Sequence, residues 1–247
     1  MMKRILPLLI LFTPLFSIGQ FTAIPDANFE QALIDLGHDT GTPDGQVLTA
    51  NISGVTSLVV SNDSISDLTG IEDFAALEEL YCVENQLTSL DVTQNTALTS
   101  LNCGINQLTS LDVSQNIALF DINCTYNFLT SLDVSNNTAL YFLNCWENQL
   151  TSVDVSGATA LYYLECNYNQ LTSLNVSNNT ALTDLFCAFN QLTSLDVTQN
   201  TALTHLECRS NLLTCLNVAN GNNTFLTYFY AVNNPSLTCI EVDNVAW

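Results

Sequence analysis

The chain has 247 residues, with 24 Asp and Glu against 3 Lys and Arg, a formal charge of −21. So negative a surface repels phosphate backbones and anionic lipid, which excludes nucleic-acid binding and peripheral membrane binding. Only 11% of residues are charged and 47% are hydrophobic, so the chain is too apolar for an acidic disordered tail and is expected to fold.

Residues 1–19 read as a secretory signal peptide. Lys3 and Arg4 precede an apolar run from Ile5 to Phe16, and Ser17-Ile18-Gly19 offers small residues before a cut at Gln20. The run is too short to span a bilayer comfortably, so no membrane insertion is expected after its removal. The predicted destination, secreted or cell-surface, permits disulfides. Residues 20–54 read as an N-terminal cap. Asp26 or Asn28 is placed to N-cap a short helix running through Leu36, with Phe29, Leu33 and Ile34 facing inward and Gly37 closing it at C′. The stretch from His38 to Gly45 reads as a turn-rich loop. Its Asp39 and Asp44 lack the spacing of a calcium-binding loop.

Residues 55–247 read as nine repeating units. Cys82, Cys103, Cys124, Cys145, Cys166, Cys187 and Cys208 recur every 21 residues. Six units of 21 run without a gap from Leu77 to Ala202; a 22-residue unit, Val55–Ala76, precedes them, and two looser units, 203–225 and 226–247, follow. Self-similarity at this period is the signature of a solenoid. Each unit holds two similar halves, L-x-x-L-x-C-x-x-N and L-x-x-L-x-V-x-x-N, whose L-x-C and L-x-V pieces alternate with period two as strands do. The pattern predicts a mainly β solenoid with two short parallel strands per coil, stacked about 4.8 Å apart, around a narrow apolar core.

The recurring polar and thiol positions read as structural. One inward thiol per coil builds neither a tetrahedral metal site nor good disulfide geometry, so the seven ladder cysteines are read as small hydrophobes. Asn85, Asn106, Asn127, Asn148, Asn169, Asn190 and Asn211 are predicted to bond backbone groups at turns. Asp91, Asp112, Asp133, Asp154 and Asp196 give way to Asn175 and Asn217, which fits a backbone acceptor better than a calcium ligand. Cys215 and Cys239 replace the Ser of the usual LTSLDV text in adjacent coils and are predicted to form a disulfide that clamps the last coil.

The first half matches L-x-x-L-x-L-x-x-N-x-L with Cys for the third Leu, and the recurrent text is NQLTSLDVS-NTAL. On these residues, and on the opening IPDANFEQALIDLG, the chain resembles the exported leucine-rich repeat proteins of Bacteroidetes-type bacteria. The resemblance implies a leucine-rich repeat solenoid with a small helical N-terminal cap, and a secreted or surface binding module. Many such proteins end in a sorting domain; none is visible before Trp247, so the sequence reads either as a fragment or as a freely secreted chain.

Function is sought where the units differ. Outward positions of the second half are nearly constant Ser, Thr, Asp, Asn and Gln. Outward positions of the first half carry Tyr81, Phe120, Tyr126, Tyr141, Phe142, Trp146, Tyr162, Tyr163, Tyr168, Phe186 and Phe189, with Tyr228 and Tyr230 extending the set. Asp121, Glu147, Glu165 and Asp184 lie around them. Rings rimmed by carboxylates are the composition of a binding surface, predicted to take a protein or peptide ligand, or alternatively a glycan. Lateral stacking that merely stabilises the sheet is the other reading. His205, Glu207 and Arg209 read as a surface salt-bridge cluster. No nucleophile with a base and an orienter can be assembled, so no enzyme, cofactor or metal is expected, and the chain is expected to be a monomer.

Overall fold

The computed structural model describes residues 19–243. The predicted signal peptide therefore lies outside the described residues except for Gly19, as do the last four residues. Among the described residues no helix is long and apolar enough to cross a membrane.

The cap holds more structure than the predicted helix. Strand β1 (Phe21–Ala23) pairs antiparallel with β2 (Gln46–Leu48), with Phe21 opposite Leu48, and a short helix α2 (Thr49–Ile52) follows. Helix α1 (Ala27–Asp35) starts where Asp26 Oδ1 accepts from the backbone N–H of Asn28 and Phe29 at 2.9 and 3.1 Å. It ends in a Schellman turn: Gly37, at φ +81°, donates to the Ile34 carbonyl and His38 donates to the Leu33 carbonyl. Phe29 and Leu33 are fully buried, and the Phe29 ring packs 6.3 Å from Phe74 of the first coil. Ile34 is only half-buried. The same Asp26 accepts through Oδ2 from Ser66 N, Ser66 Oγ and Asp67 N, so one carboxylate both caps the helix and fastens it to the solenoid. The His38–Gly45 loop is a plain turn: the buried Glu30 carboxylate takes the N–H groups of Asp44 and Gly45, each at 2.7 Å.

The solenoid's first side is one nine-stranded parallel sheet. Its strands lie in chain order: β3 (Ser57–Val59), β4 (Glu79–Tyr81), β5 (Ser100–Asn102), β6 (Asp121–Asn123), β8 (Phe142–Asn144), β10 (Tyr163–Glu165), β11 (Asp184–Phe186), β13 (His205–Glu207) and β15 (Tyr228–Tyr230). Leu80 pairs with Leu101, Leu101 with Ile122 and Ile122 with Leu143, so the 21-residue units sit in register. The second side is less regular than the predicted second strand in every coil. It forms β7 (Ser131–Asp133) with β9 (Ser152–Asp154), then β12 (Ser194–Asp196), β14 (Cys215–Asn217) and β16 (Cys239–Glu241), with a single bridge between Asp91 and Asp112. Oδ1 of Asp91, Asp112, Asp133, Asp154 and Asp196 accepts from the N–H two residues on and turns the chain there, in coils with a second-side strand and without one alike.

Six apolar side chains of each regular coil face inward: Leu77, Leu80, Cys82, Leu87, Leu90 and Val92 are 8% exposed or less in the first, with Ile122 and the half-buried Val153 replacing a leucine in two later coils. Each buried leucine contributes roughly 1.5–3 kcal/mol, delivered as contacts to its own coil and the two neighbours. Burial raises all seven ladder cysteines, reinforced by neighbouring thiols at Cys82, Cys124, Cys145, Cys166 and Cys187 and by Glu207 at Cys208; Cys103 and Cys208 rise to about 12, and the ladder remains neutral thiols. The asparagine ladder ties coil to coil. Asn127 Nδ2 donates to the carbonyls of Cys103, Cys124 and Thr125, and its Oδ1 accepts from Leu108 N, one coil back.

Candidate binding surface

Alternation along the sheet's three-residue strands from β3 to β13 sends the central leucine or isoleucine into the core and its two neighbours to the other face; in β15 the central residue is the half-buried Phe229. In-register stacking then places equivalent outward side chains at the strand repeat, about 4.8 Å apart. The predicted rings sort into three groups on this geometry. Beside the strands' starts, Phe120, Tyr141 and Tyr162 stack nearly face to face, with centroids 4.9 and 4.8 Å apart and planes 4° and 8° from parallel. On the sheet itself Phe142 stacks on Tyr163 at 4.6 Å; Phe186 follows at 5.5 Å, and Tyr228 at 6.4 Å from Phe186. Beyond the strands' ends run Tyr126, Trp146, Tyr168 and Phe189, with Trp146 edge-on to both tyrosines and Tyr168 stacked on Phe189 at 4.2 Å. Tyr81 stands apart from these groups, separated in its column from Glu165 and Phe186 by Asn102, Asn123 and Asn144; its hydroxyl meets Ser100 Oγ at 3.4 Å.

The last group reveals a feature that spacing alone did not signal. Glu84, Ile105, Tyr126, Glu147, Tyr168, Phe189 and Ser210 all have φ between 51° and 59°. A bulky side chain in this left-handed region costs about 1 kcal/mol or more, whereas Gly or Asn fits readily. The backbone is held there by bonds to the next coil, such as Tyr126 N to the Trp146 carbonyl at 3.0 Å. The turn itself therefore does not ask for rings at these positions.

Carboxylates lie between the rings and are individually positioned. Glu165 accepts from the Tyr163 hydroxyl at 2.6 Å, from Asn144 Nδ2 at 3.2 Å and from Asn167 Nδ2 at 3.3 Å. Burial, then this bond to Glu165, pushes the Tyr163 phenol well above the usual tyrosine range, so it stays a donor. Asn144 and Asn167 were not foreseen as part of the site; their signal lay in columns adjacent to Glu165 rather than in residue type. Asp184 accepts from Thr183 Oγ1 at 2.5 Å and faces His205 Nδ1 at 2.9 Å. Arg209 pairs with Glu207 and covers the Phe189 ring at 5.1 Å, so the expected cluster divides into two pairs, Arg209 with Glu207 and His205 with Asp184. Burial raises Asp121 above the usual carboxylate range.

Cys215 and Cys239 lie away from the rings, on the solenoid's second side. They are in-register neighbours on β14 and β16, as their place in the repeat predicts. Both are free, half-buried thiols.

No family model matches the chain. Internalin J of Listeria monocytogenes serotype 4b (strain F2365) is 47% identical over 45 residues, which are 18% of this chain and 5% of internalin J. The solved functional domain of InlJ from Listeria monocytogenes, which includes a cysteine ladder, aligns over 91% of this chain and 62% of its own length, at 32% identity and a TM-score of 0.65. The chain thus spans less than two thirds of that domain. Internalin C2 of Listeria monocytogenes strain 4b F2365 aligns over 90% of this chain and 97% of its own, at 19% identity and a TM-score of 0.59, a likeness of fold alone. The chain has the leucine-rich repeat fold and is similar to internalin-like proteins with a 21-residue solenoid repeat.

Proposed function

We propose that the chain is an exported, non-enzymatic recognition module that binds a protein or peptide through the aromatic, acidic side of its nine-stranded sheet. The observation that carries this reading is the left-handed column: Tyr126, Tyr168 and Phe189 occupy a backbone conformation that favours Gly or Asn, yet bear large rings, two of them exposed. Export is supported by the leader-like segment from Lys3 to Gly19.

The ring geometry favours a polypeptide over a glycan. Sugars stack on ring faces, but the faces in the Phe120, Tyr141 and Tyr162 group are covered by one another. What these rings present is edges and the hydroxyls of Tyr141 and Tyr162, with Asp121 following Phe120 in the chain and Glu165 held by Tyr163 on the sheet itself. Such a surface complements apolar side chains flanked by Lys or Arg. A paired array of peptides and glycans tests the reading. Retention on Lys- and Arg-bearing peptides that weakens with salt is expected; retention on glycans alone would make the module a glycan-binding accessory, and silence on both would make it a structural spacer.

A further inference from the structure

The second side of the solenoid repeats Ser-x-Asp in coil after coil. In the last two coils this becomes Cys215-x-Asn217 and Cys239-x-Glu241. The two thiols and one carboxylate oxygen of Glu241 lie within 4.8 Å of one another. We propose that Cys215, Cys239 and Glu241 form a binding site for one divalent zinc-type ion.

Three features support it. First, two sulphurs bound to one ion at about 2.3 Å and a tetrahedral angle stand about 3.8 Å apart, a spacing that in-register neighbours on parallel strands reach with side chains pointing the same way. That shared direction is unfavourable for a disulfide, whose Cβ–S–S–Cβ torsion sits near 90°. Secondly, Glu241 is released from the work this position does elsewhere. Asp91, Asp112 and Asn217 each accept the N–H two residues on, but the corresponding N–H, that of Asp243, is taken by Asn223 Oδ1 at 2.8 Å. Thirdly, the buried cysteine ladder lacks both requirements. Its thiols are sealed from water, and Glu84 and Glu147, two residues after Cys82 and Cys145, are exposed at the left-handed turn, whereas Cys215 and Cys239 are half-buried and grouped with the exposed Glu241. Two thiolates and one carboxylate suit zinc, with water as the fourth ligand; binding releases the two thiol protons to solvent and changes no oxidation state.

The test uses the full chain, purified without reductant and thiol-counted after denaturation. Nine thiols are expected; seven would assign the pair to a disulfide and overturn the site. The reduced chain is then titrated with Co(II) as the probe, followed by Zn(II). The site predicts one Co(II) per chain with a sulphur-to-cobalt charge-transfer band, discharged by one equivalent of Zn(II). Cys215→Ser and Cys239→Ser restore the residue other coils carry there, so both variants should fold; both should abolish the band, and Glu241→Gln should weaken binding roughly tenfold or more. A band that survives either serine variant would place the metal elsewhere, and no band in the reduced chain would refute the proposal.

Discussion

The Tyr163 hydroxyl donates to Glu165 Oε2 at 2.6 Å, two residues along the same face of strand β10, while the Tyr163 ring lies stacked on Phe142 one strand back. One side chain thus joins the aromatic and acidic parts of the surface: its ring is held by a neighbouring coil and its hydroxyl orients a carboxylate. Lateral stacking and binding are therefore compatible roles. The stack fixes the rings at little entropic cost, and a rigid array is better prepared for a partner than a mobile one.

Tyr163→Phe separates these roles. The stack on Phe142 survives while the bond to Glu165 is lost, for an expected stability loss of about 0.5–1.5 kcal/mol. Tyr163→Ala should cost more, because the contacts to Phe142 and Phe186 go as well. Urea denaturation of the two variants checks the order; equal losses would show that the ring contributes nothing.

Asn127→Ala should be among the most damaging single changes to the solenoid. It leaves the buried N–H of Leu108 unpaired, at about 1–3 kcal/mol, and takes one bond from each of the carbonyls of Cys103, Cys124 and Thr125, which keep those from Asn106, Asn148 and Ile105. A fall in the urea midpoint with an unchanged slope is expected. A variant as stable as the parent would remove the ladder from the account of stability.

Gly157→Ala tests the one regular coil that departs from a second buried asparagine column, although it keeps Asn148 in the first. Here Ala158 replaces the buried Asn found at positions 95, 116, 137, 179 and 200, and a Cβ on Gly157 would lie 1.7 Å from the Ser135 carbonyl oxygen. Backbone must move to admit it, so a loss of about 3 kcal/mol or more in thermal or urea unfolding is expected. Tolerance of alanine would mean the two coils are not in this close contact.

Two carboxylates should respond to acid in opposite senses. Burial opposes ionisation of Asp26, but hydrogen bonds from Ser66, Phe29 and Asn28 outweigh it and hold the group below the usual range. Its stabilising contribution is present above the unfolded pKa of about 3.9 and is lost as pH falls through the lower folded value. Asp121 is raised by burial, so its contribution improves as pH falls through its folded pKa. Asp26→Ala should cost about 1–2 kcal/mol at neutral pH, with the gap to the parent narrowing in acid. Asp121→Asn should be neutral or stabilising at neutral pH, an advantage that shrinks in acid. Unfolding midpoints from pH 7 to pH 3 check both signs.

Much of this architecture was legible because a solenoid repeats its instructions. The Cys82 to Cys208 spacing sets the register, and the alternation around Leu80 or Leu101 assigns inside and outside without tertiary information. Asn127 could be read as a turn residue, since every regular coil carries its equivalent. What escaped was non-repeating or diagonal. Strands β1 and β2 are three residues each and pair across the whole of α1, so no periodicity marks them. Coils with and without a second-side strand carry the same Asp or Asn turn, so the irregularity of that side leaves no mark in the repeat. The ring-bearing residues were identified, but their left-handed backbone and the tethering of Glu165 by Asn144 and Asn167 arise between coils, where linear spacing is silent.

The central claim is tested most directly with Trp146→Ala combined with Tyr163→Ala, set against Ser131→Ala combined with Ser152→Ala on the opposite side. A Lys- or Arg-bearing peptide retained on the array is titrated by calorimetry into each chain, with thermal unfolding recorded alongside. The proposal predicts loss of binding by the aromatic variant, with cooperative unfolding retained, and an unchanged affinity for the serine variant. Unchanged affinity in the aromatic variant, or an equal loss in both, would contradict it.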